Sequence, residues 1–499
     1  MIWNLESWQH PCYNINNGRC KSILKWKNVK NILYEEQTNN IIPILSFKRP
    51  HSRALHLSII LILFTFFVKF HLSVFNLLQD CHYNNTVTTT PNNTLIVILD
   101  SDITYIRYNA IYALCGASIF RVLFGYIADR FGVRISFCIL ILLSTIIGIL
   151  NINYNFIILK ILNGISSAGF ILSELWVITM FDINILGLTT GIIGGIGNFG
   201  IGLLMIINYT IINNIKINYL QYVIYWPYII FMLFIYPLYY HSDDSPFGNY
   251  LELKKIYLEN IVQRTPDNNL DNTCYSDYTQ NTYSLDNDIN INNIIQDISF
   301  SKKNIYNALK SIKLLSLSLA YLYSFGLELT LFTNFLIILR NNINISLYNS
   351  INLLLIYSSI NLLGRPIGGY ISDKNYEKFK IIGKIKLMQL FTIFTIMFGI
   401  IFTNIISDDI DNNNLFNNLL LSICFLSFSN NLLQGTIIGI IPHMDSANIG
   451  VLLGVISSFG TVGGIIGNIL FINYDIYTAF TYINYFGMIT FISNTFILL

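Results

Sequence analysis

Two short segments of the chain carry the same chemistry-bearing pattern. Arg121-Val-Leu-Phe-Gly125-Tyr-Ile-Ala-Asp129 and Arg365-Pro-Ile-Gly-Gly369-Tyr-Ile-Ser-Asp373 both read Arg-x3-Gly-x3-Asp. On an α-helix, positions i, i+4 and i+8 lie near one face, and eight residues at 1.5 Å rise place each Arg about 12 Å from its Asp. A guanidinium stays charged when desolvated and offers two parallel N–H donors, which suit a small planar oxyanion. Two of them facing one polar cavity would bind a small anion. The alternative is that each Arg pairs with a buried carboxylate, Glu174 or Glu328, and holds helices together. Asp129 is followed by Arg130-Phe-Gly132-Val-Arg134, and Asp373 by Lys374. With Gly125, these charged residues are expected to form a gate at one end of the helices.

The surrounding elements must be membrane helices. Of 499 residues, 53% are hydrophobic and only 11% charged, against about 25% charged in soluble domains. The mean hydropathy is +0.54. A soluble enzyme is excluded. Apolar runs of about 20 residues, the length that crosses a bilayer, fall near 55–78, 104–128, 135–152, 155–180, 186–210 and 218–240, then near 309–339, 347–372, 382–405, 414–441, 450–472 and 476–499. The arginine pattern thus ends the second span of each half, the mark of a duplicated bundle. The expected fold is an all-α membrane protein with 12 transmembrane helices in two six-helix pseudo-symmetric bundles. Its parts are a polar cytoplasmic segment 1–52, an N-terminal bundle 53–241, a disordered cytoplasmic linker 242–305 rich in Asn and Asp, and a C-terminal bundle 306–499.

Basic residues set the orientation, because Lys and Arg are retained on the cytoplasmic side. With the N-terminus inside, twenty-two lie on the inner side, and only Arg107, Lys216 and Arg340 on the outer. Both termini are then cytoplasmic. Sequons at Asn84, Asn92, Asn208 and Asn344 fall in or at the expected outer loops. The first 50 residues carry no secretory signal pattern, so the plasma membrane is the expected location.

Other chemistries find no support. The net charge of +2 and the absence of a basic patch give no case for nucleic acid. Seven scattered cysteines without a CxxC pair argue against a disulfide framework or a metal site. The dispersed histidines form no nucleophile-base set, so neither catalytic residues nor a cofactor are expected.

Within the spans, glycines cluster at Gly191, Gly195, Gly197 and Gly200, and again at Gly454, Gly460, Gly463 and Gly464. Small residues at this spacing let helices approach closely and rock. Asn198 lies among the first set; its amide is costly in lipid and could donate to an anion. Glu174 and Glu328 could balance the arginines or carry a coupled proton. Lys69 could draw anions toward an outer vestibule or snorkel to the outer interface.

Beyond these readings, Gly125 to Arg134 resembles the loop signature of the major facilitator superfamily. Further segments are similar to its nitrate/nitrite porter family: Arg53 with His56, Glu174-Leu-Trp176 with Phe181, Asn198 and its glycines, Asp243-Asp244-Ser-Pro246-Phe-Gly248, Phe325-Gly326-Leu-Glu328-Leu-Thr330, and Gln434-Gly435-Thr436 with Pro442. The resemblance covers residues 53 to about 470. It implies that Arg121 and Arg365 clamp nitrate or nitrite, with Asn198 and Thr461 in the two nitrate signatures. Thr461 stands where the family usually has Asn, Glu174 replaces Gln, and Lys69 is an extra cation. The expected function is alternating-access transport of nitrate or nitrite by a monomer in the lipid bilayer, with a proton as possible co-substrate. A small carboxylate or amino acid is the alternative cargo, and a non-transporting receptor or scaffold the second alternative.

Overall fold

The computed structural model describes residues 50–87, 100–154, 156–215, 217–245, 249, 310–341, 345–407, 412–444 and 448–498. Nearly all of the 1–52 and 242–305 segments, and the sequons at Asn92 and Asn344, lie outside the described residues.

The N-terminal half consists of α1 (Pro50–Val87), α2 (Asp100–Phe131), α3 (Val133–Asn153), α4 (Ile157–Met180), α5 (Leu186–Asn214) and a sixth span, α6, in three pieces, Ile217–Val223, Trp226–Leu233 and Ile235–His241. The C-terminal half holds α7 (Ile312–Asn341), α8 (Leu347–Ser359), α9 (Asn361–Ser407), α10 (Asn412–Ile440), α11 (Ile449–Asn473) and α12 (Ile476–Leu498). Among the described residues nine helical stretches are long and apolar enough to cross a membrane, and one of them, Leu347–Ile406, is 60 residues long and holds two spans. With α6 and α12 the total is twelve. Outward-facing Ile119, Ile146, Leu363 and Phe425 are exposed, as side chains in contact with lipid must be.

Two boundaries differ from expectation for physical reasons. The sixth span is not one helix over 218–240: Pro227, in the first turn of Trp226–Leu233, lacks the N–H that would continue the ladder from the preceding piece. Spans 8 and 9 are not separated by a loop at 373–381; helix continues past Asp373 to a break at Lys380, whose φ of 53° interrupts it.

The halves meet along two seams, α2 against α11 and α5 against α8 and α9. Glycine permits both. A Cβ on Gly125 would fall 2.1 Å from the Gly450 carbonyl oxygen, and one on Gly369 would fall 1.8 Å from that of Gly187. Such backbone-to-backbone approaches leave no room for any other residue.

Two polar residues sit deeper than expected. Asn208, the third sequon, is wholly buried in α5 and donates to the His71 ring at 3.2 Å, so it is no outer-loop acceptor. Lys69 does not snorkel. Its ammonium is buried beside the Phe70 and Phe66 rings, 4.6 and 6.0 Å from their centroids, without a hydrogen-bond partner.

Candidate functional site

At one end of the bundle the two Arg-x3-Gly-x3-Asp patterns close matching latches. Neither α5 nor α11 has a side-chain cap of its own at its first turn. Each is capped by the other half. Asp129 accepts from the backbone N–H of Gly450 and Val451 at 3.1 and 2.9 Å, and Asp373 accepts from Gly187 and Leu188 at 3.1 and 2.9 Å. A carboxylate is the favoured partner for these orphan donors and for the positive helix end. Sequence reasoning singled out the aspartates but missed their targets, which are main-chain atoms.

The basic residues of the expected gate divide. Lys374 faces solvent, paired with Glu377 at 2.9 Å, and Arg130 lies at the surface against Tyr126. Lys384 takes the place expected of Lys374: buried, it donates to Asp373 at 3.0 Å and to the Gly439 carbonyl at 2.8 Å. Arg134 donates to the carbonyls of Tyr239 and Ser242, while Asp244 accepts from the Arg134 N–H at 2.7 Å. Gly132 enters α3 at φ +91°, where a Cβ would lie 2.8 Å from the Asp244 carboxylate. Arg53 pairs with Asp243 at 3.1 Å and the Trp176 indole donates to the Asp243 carbonyl. The Asp243-Asp244 segment therefore ties α1, α3, α4 and α6 together within the first half.

The opposite end is joined as well. Arg107 on α2 donates to Asn334 on α7 at 2.8 Å and to the Phe471 carbonyl on α11 at 2.6 Å, and Tyr209 on α5 packs against Tyr348 on α8.

Between these ends lie Arg121, Arg365, Glu174 and Glu328, all 0% exposed. Both guanidiniums lie near the Phe325 ring, Arg121 5.0 Å and Arg365 5.9 Å from its centroid. Phe170 also faces Arg121 at 5.3 Å, and Tyr321 stacks on Phe325. Aromatic faces support a desolvated guanidinium while leaving its N–H edge free. Tyr321 lies within electrostatic range of all four charged groups, and its hydroxyl has no hydrogen-bond partner.

The arginines are held differently. Arg365 donates through Nε to Asn431 at 3.2 Å and through Nη2 to Glu328 at 3.0 Å and to Gln434. Gln434 in turn donates to Glu328 at 2.8 Å. One edge of the Arg365 fork is thereby occupied, and only Nη1 is unpartnered. Arg121 donates only through Nη1, to the Ser457 carbonyl at 2.9 Å; Nε and Nη2, which form one parallel edge, have no partner. Glu174 has neither oxygen bonded. A Cβ on Gly194 would lie 2.6 Å from Arg365 Nη1 and 3.0 Å from Glu174 Oε1, so these two atoms flank one glycine.

Asn198 and Thr461 do not bond to either guanidinium. Asn198 donates to Asn361 at 3.4 Å, and the Thr461 hydroxyl donates to the Ser458 carbonyl at 2.7 Å. The glycines sort by neighbour: Gly191 and Gly195 against α9, Gly454 against α2, Gly197 and Gly200 against α1, and Gly460, Gly463 and Gly464 against α7. Gly191 and Gly454 are equivalent, meeting the carbonyl oxygens of Arg365 and Arg121 at 2.5 and 2.7 Å from a hypothetical Cβ.

Two six-helix halves joined by crossed latches around a sealed charged centre define a multi-pass membrane carrier. The Major Facilitator Superfamily model matches residues 57–468, and the chain belongs to that superfamily. Among curated proteins it is similar to "High affinity nitrate transporter 2.7" of Arabidopsis thaliana, 23% identical over 456 residues, 90% of this chain and 83% of the relative. It is likewise similar to "High-affinity nitrate transporter 2.3" of Oryza sativa subsp. japonica, 24% identical over 89% of this chain and 77% of the relative. Among solved structures it shares its fold with the proton:xylose symporter XylE, at TM-score 0.56 and 15% identity, over 89% of this chain and 95% of that one. The human organic anion transporter MFSD10 matches at TM-score 0.55 and 12% identity, over 90% and 100%.

Proposed function

We propose that the protein carries a small monovalent oxyanion, nitrate or nitrite, across the plasma membrane by alternating access, as a monomer with both termini cytoplasmic. The observation that carries this reading is the unpartnered Nε and Nη2 edge of Arg121 in a fully buried position. A buried, unsatisfied charged donor costs several kcal/mol in the membrane, and a planar oxyanion supplies two acceptors at the spacing of that edge. Arg365 Nη1 offers a third donor from the other half, so the anion draws the halves together. The Phe325 and Phe170 rings bound the space on its apolar sides. The latches at Asp129 and Asp373 then lie on the cytoplasmic side and open when the centre turns inward, while the glycine seams let α2 and α5 rock on α11 and α9. The high-affinity nitrate transporters among the relatives support the choice of anion.

Counterflow in proteoliposomes with nitrate, nitrite, small carboxylates and amino acids tests the reading. Nitrate and nitrite are expected to exchange. Exchange of amino acids without nitrate would overturn it, and would give the free Glu174 oxygens an amine to bind. No exchange with any of the panel would favour a receptor or scaffold.

A further inference from the structure

At the latch end of the C-terminal half, α9 breaks at a residue ill suited to the break. Lys380 takes φ 53° and ψ −148°, and among the described residues it is the one non-glycine residue with a positive φ. Glycine adopts such a conformation freely, whereas a lysine there is strained, and strain of this kind collects at ligand clamps and switch regions. The break borders a cavity of about 710 Å³. Its walls are Lys313 and Leu317 from the start of α7, Lys380 and Ile385 from the two sides of the break, and Ile440 and His443 from the end of α10 and the turn after it. Leu317 and Ile440 are buried while Lys313 and Lys380 are exposed, so the lining runs from apolar inside to cationic at the mouth. No carboxylate is among the described lining residues. The His443 ring packs on Tyr376 at 4.3 Å between centroids, and its Nε2 is buried without a hydrogen-bond partner. Retention of basic residues on the inner side accounts for exposed lysines. It does not call for a cavity, a strained break and an orphaned imidazole nitrogen in one place.

We infer that this cavity binds an anionic glycerophospholipid from the leaflet at the latch end, the inner one in the orientation proposed above. Lys313, Lys380 and His443 hold its phosphate, and the first methylenes of its chains lie against Leu317, Ile385 and Ile440. A phosphate offers acceptor oxygens to two ammonium groups and one imidazole N–H together, and the cavity has the volume of a small-ligand site. The flanking residues select a lipid over a soluble phosphate. Ile312 precedes Lys313, Phe379 precedes Lys380, and all three of Ile312, Phe379 and the lining residue Ile382 are exposed apolar side chains. Such side chains enter the acyl region while the lysine amines stay at the level of the headgroups. The bound lipid bridges α7 and α9 beside the second latch. Lys384, which donates to Asp373 and to the Gly439 carbonyl, stands 5.3 Å from the Tyr376 ring, and Lys380 stands 5.5 Å from the same ring. Occupancy therefore steadies the segment that carries Asp373 and favours the latched state. Nothing in this inference depends on which cargo the centre takes.

Thermal unfolding and native mass spectrometry of the full chain in detergent test this without any transport assay. Phosphatidylglycerol is expected to raise the melting temperature saturably and to stay bound in the spectrometer. Phosphatidylcholine with the same chains, and glycerol phosphate without chains, should do neither. Replacing both lining lysines, Lys313→Gln with Lys380→Gln, should weaken phosphatidylglycerol binding about 30-fold. Lys378→Gln with Lys386→Gln removes the same charge from exposed lysines of the same stretch outside the lining, and should leave binding largely unchanged. Lys380→Gly relaxes the break, so without lipid it should melt no lower than wild type, yet gain less from phosphatidylglycerol. Stabilisation by phosphatidylcholine or glycerol phosphate equal to that by phosphatidylglycerol would overturn the inference. So would equal weakening by the two lysine pairs, a full gain in Lys380→Gly, or no phosphatidylglycerol bound to wild type.

Discussion

The two halves agree at their latches and disagree at their centres. Asp129 and Asp373 cap helix ends of the opposite half with distances that match to 0.1 Å, yet Arg121 presents an open edge and Arg365 a filled one. The latch depends on backbone N–H groups at a helix start, which any sequence supplies, so duplication preserves it. The centre depends on side chains from neighbouring helices. The second half supplies Asn431, Gln434 and Glu328 to its arginine, and the first half supplies Arg121 with no equivalent. A pseudo-symmetric fold thus holds an asymmetric centre, with one guanidinium edge open and the other arginine engaged by three side chains with one donor left over.

That inequality can be broken in order of size. Arg365→Ala should be the most damaging to folding, because it leaves Glu328 buried without its cation, at a cost of about 3–5 kcal/mol. Thermal unfolding should show a larger loss than for Arg121→Ala, and Glu328→Gln added to Arg365→Ala should restore part of it. At the latches, Asp373→Asn should lower stability by about 3 kcal/mol, since buried Lys384 loses its charge partner. Asp129→Asn removes the same kind of cap from α11 and should cost at least about 1 kcal/mol. The seams should respond alike: Gly191→Ala and Gly454→Ala each push a methyl into an arginine carbonyl, at about 2 kcal/mol. Lys374→Ala should change stability by less than about 0.5 kcal/mol, as expected for an exposed pair.

The latches and the arginines were legible because each pattern is local: Arg, Gly and Asp at four-residue spacing share a helix face wherever that helix ends up. The partners were less so. Lys384 lies eleven residues past Asp373, beyond the break at Lys380, and reaches back only because the chain turns there. The acceptor for Arg121 is a main-chain carbonyl, that of Ser457, which carries no side-chain signal. Asn431 and Gln434 meet Arg365 from a helix whose rotation no single-sequence pattern reveals. Asn198 was marked by its amide within an apolar span and Thr461 through the family resemblance; the structure sets them near the seam and one turn beyond Ser457, where each bonds within the protein. Tyr321 reads as an ordinary apolar residue of a span and Phe325 was marked only within a segment resembling the family; packing shows both beside the guanidiniums.

The open edge of Arg121 is the heart of the proposed anion site. Nitrate titration of detergent-purified wild type and Arg121→Lys, followed by calorimetry or by nitrate-dependent thermal stabilisation, tests it most directly. Lysine keeps the charge but loses the parallel N–H pair, so affinity should fall about 100-fold, equivalent to about 3 kcal/mol, with the melting temperature of the empty protein little changed. Unaltered nitrate affinity in a folded Arg121→Lys would contradict the assignment.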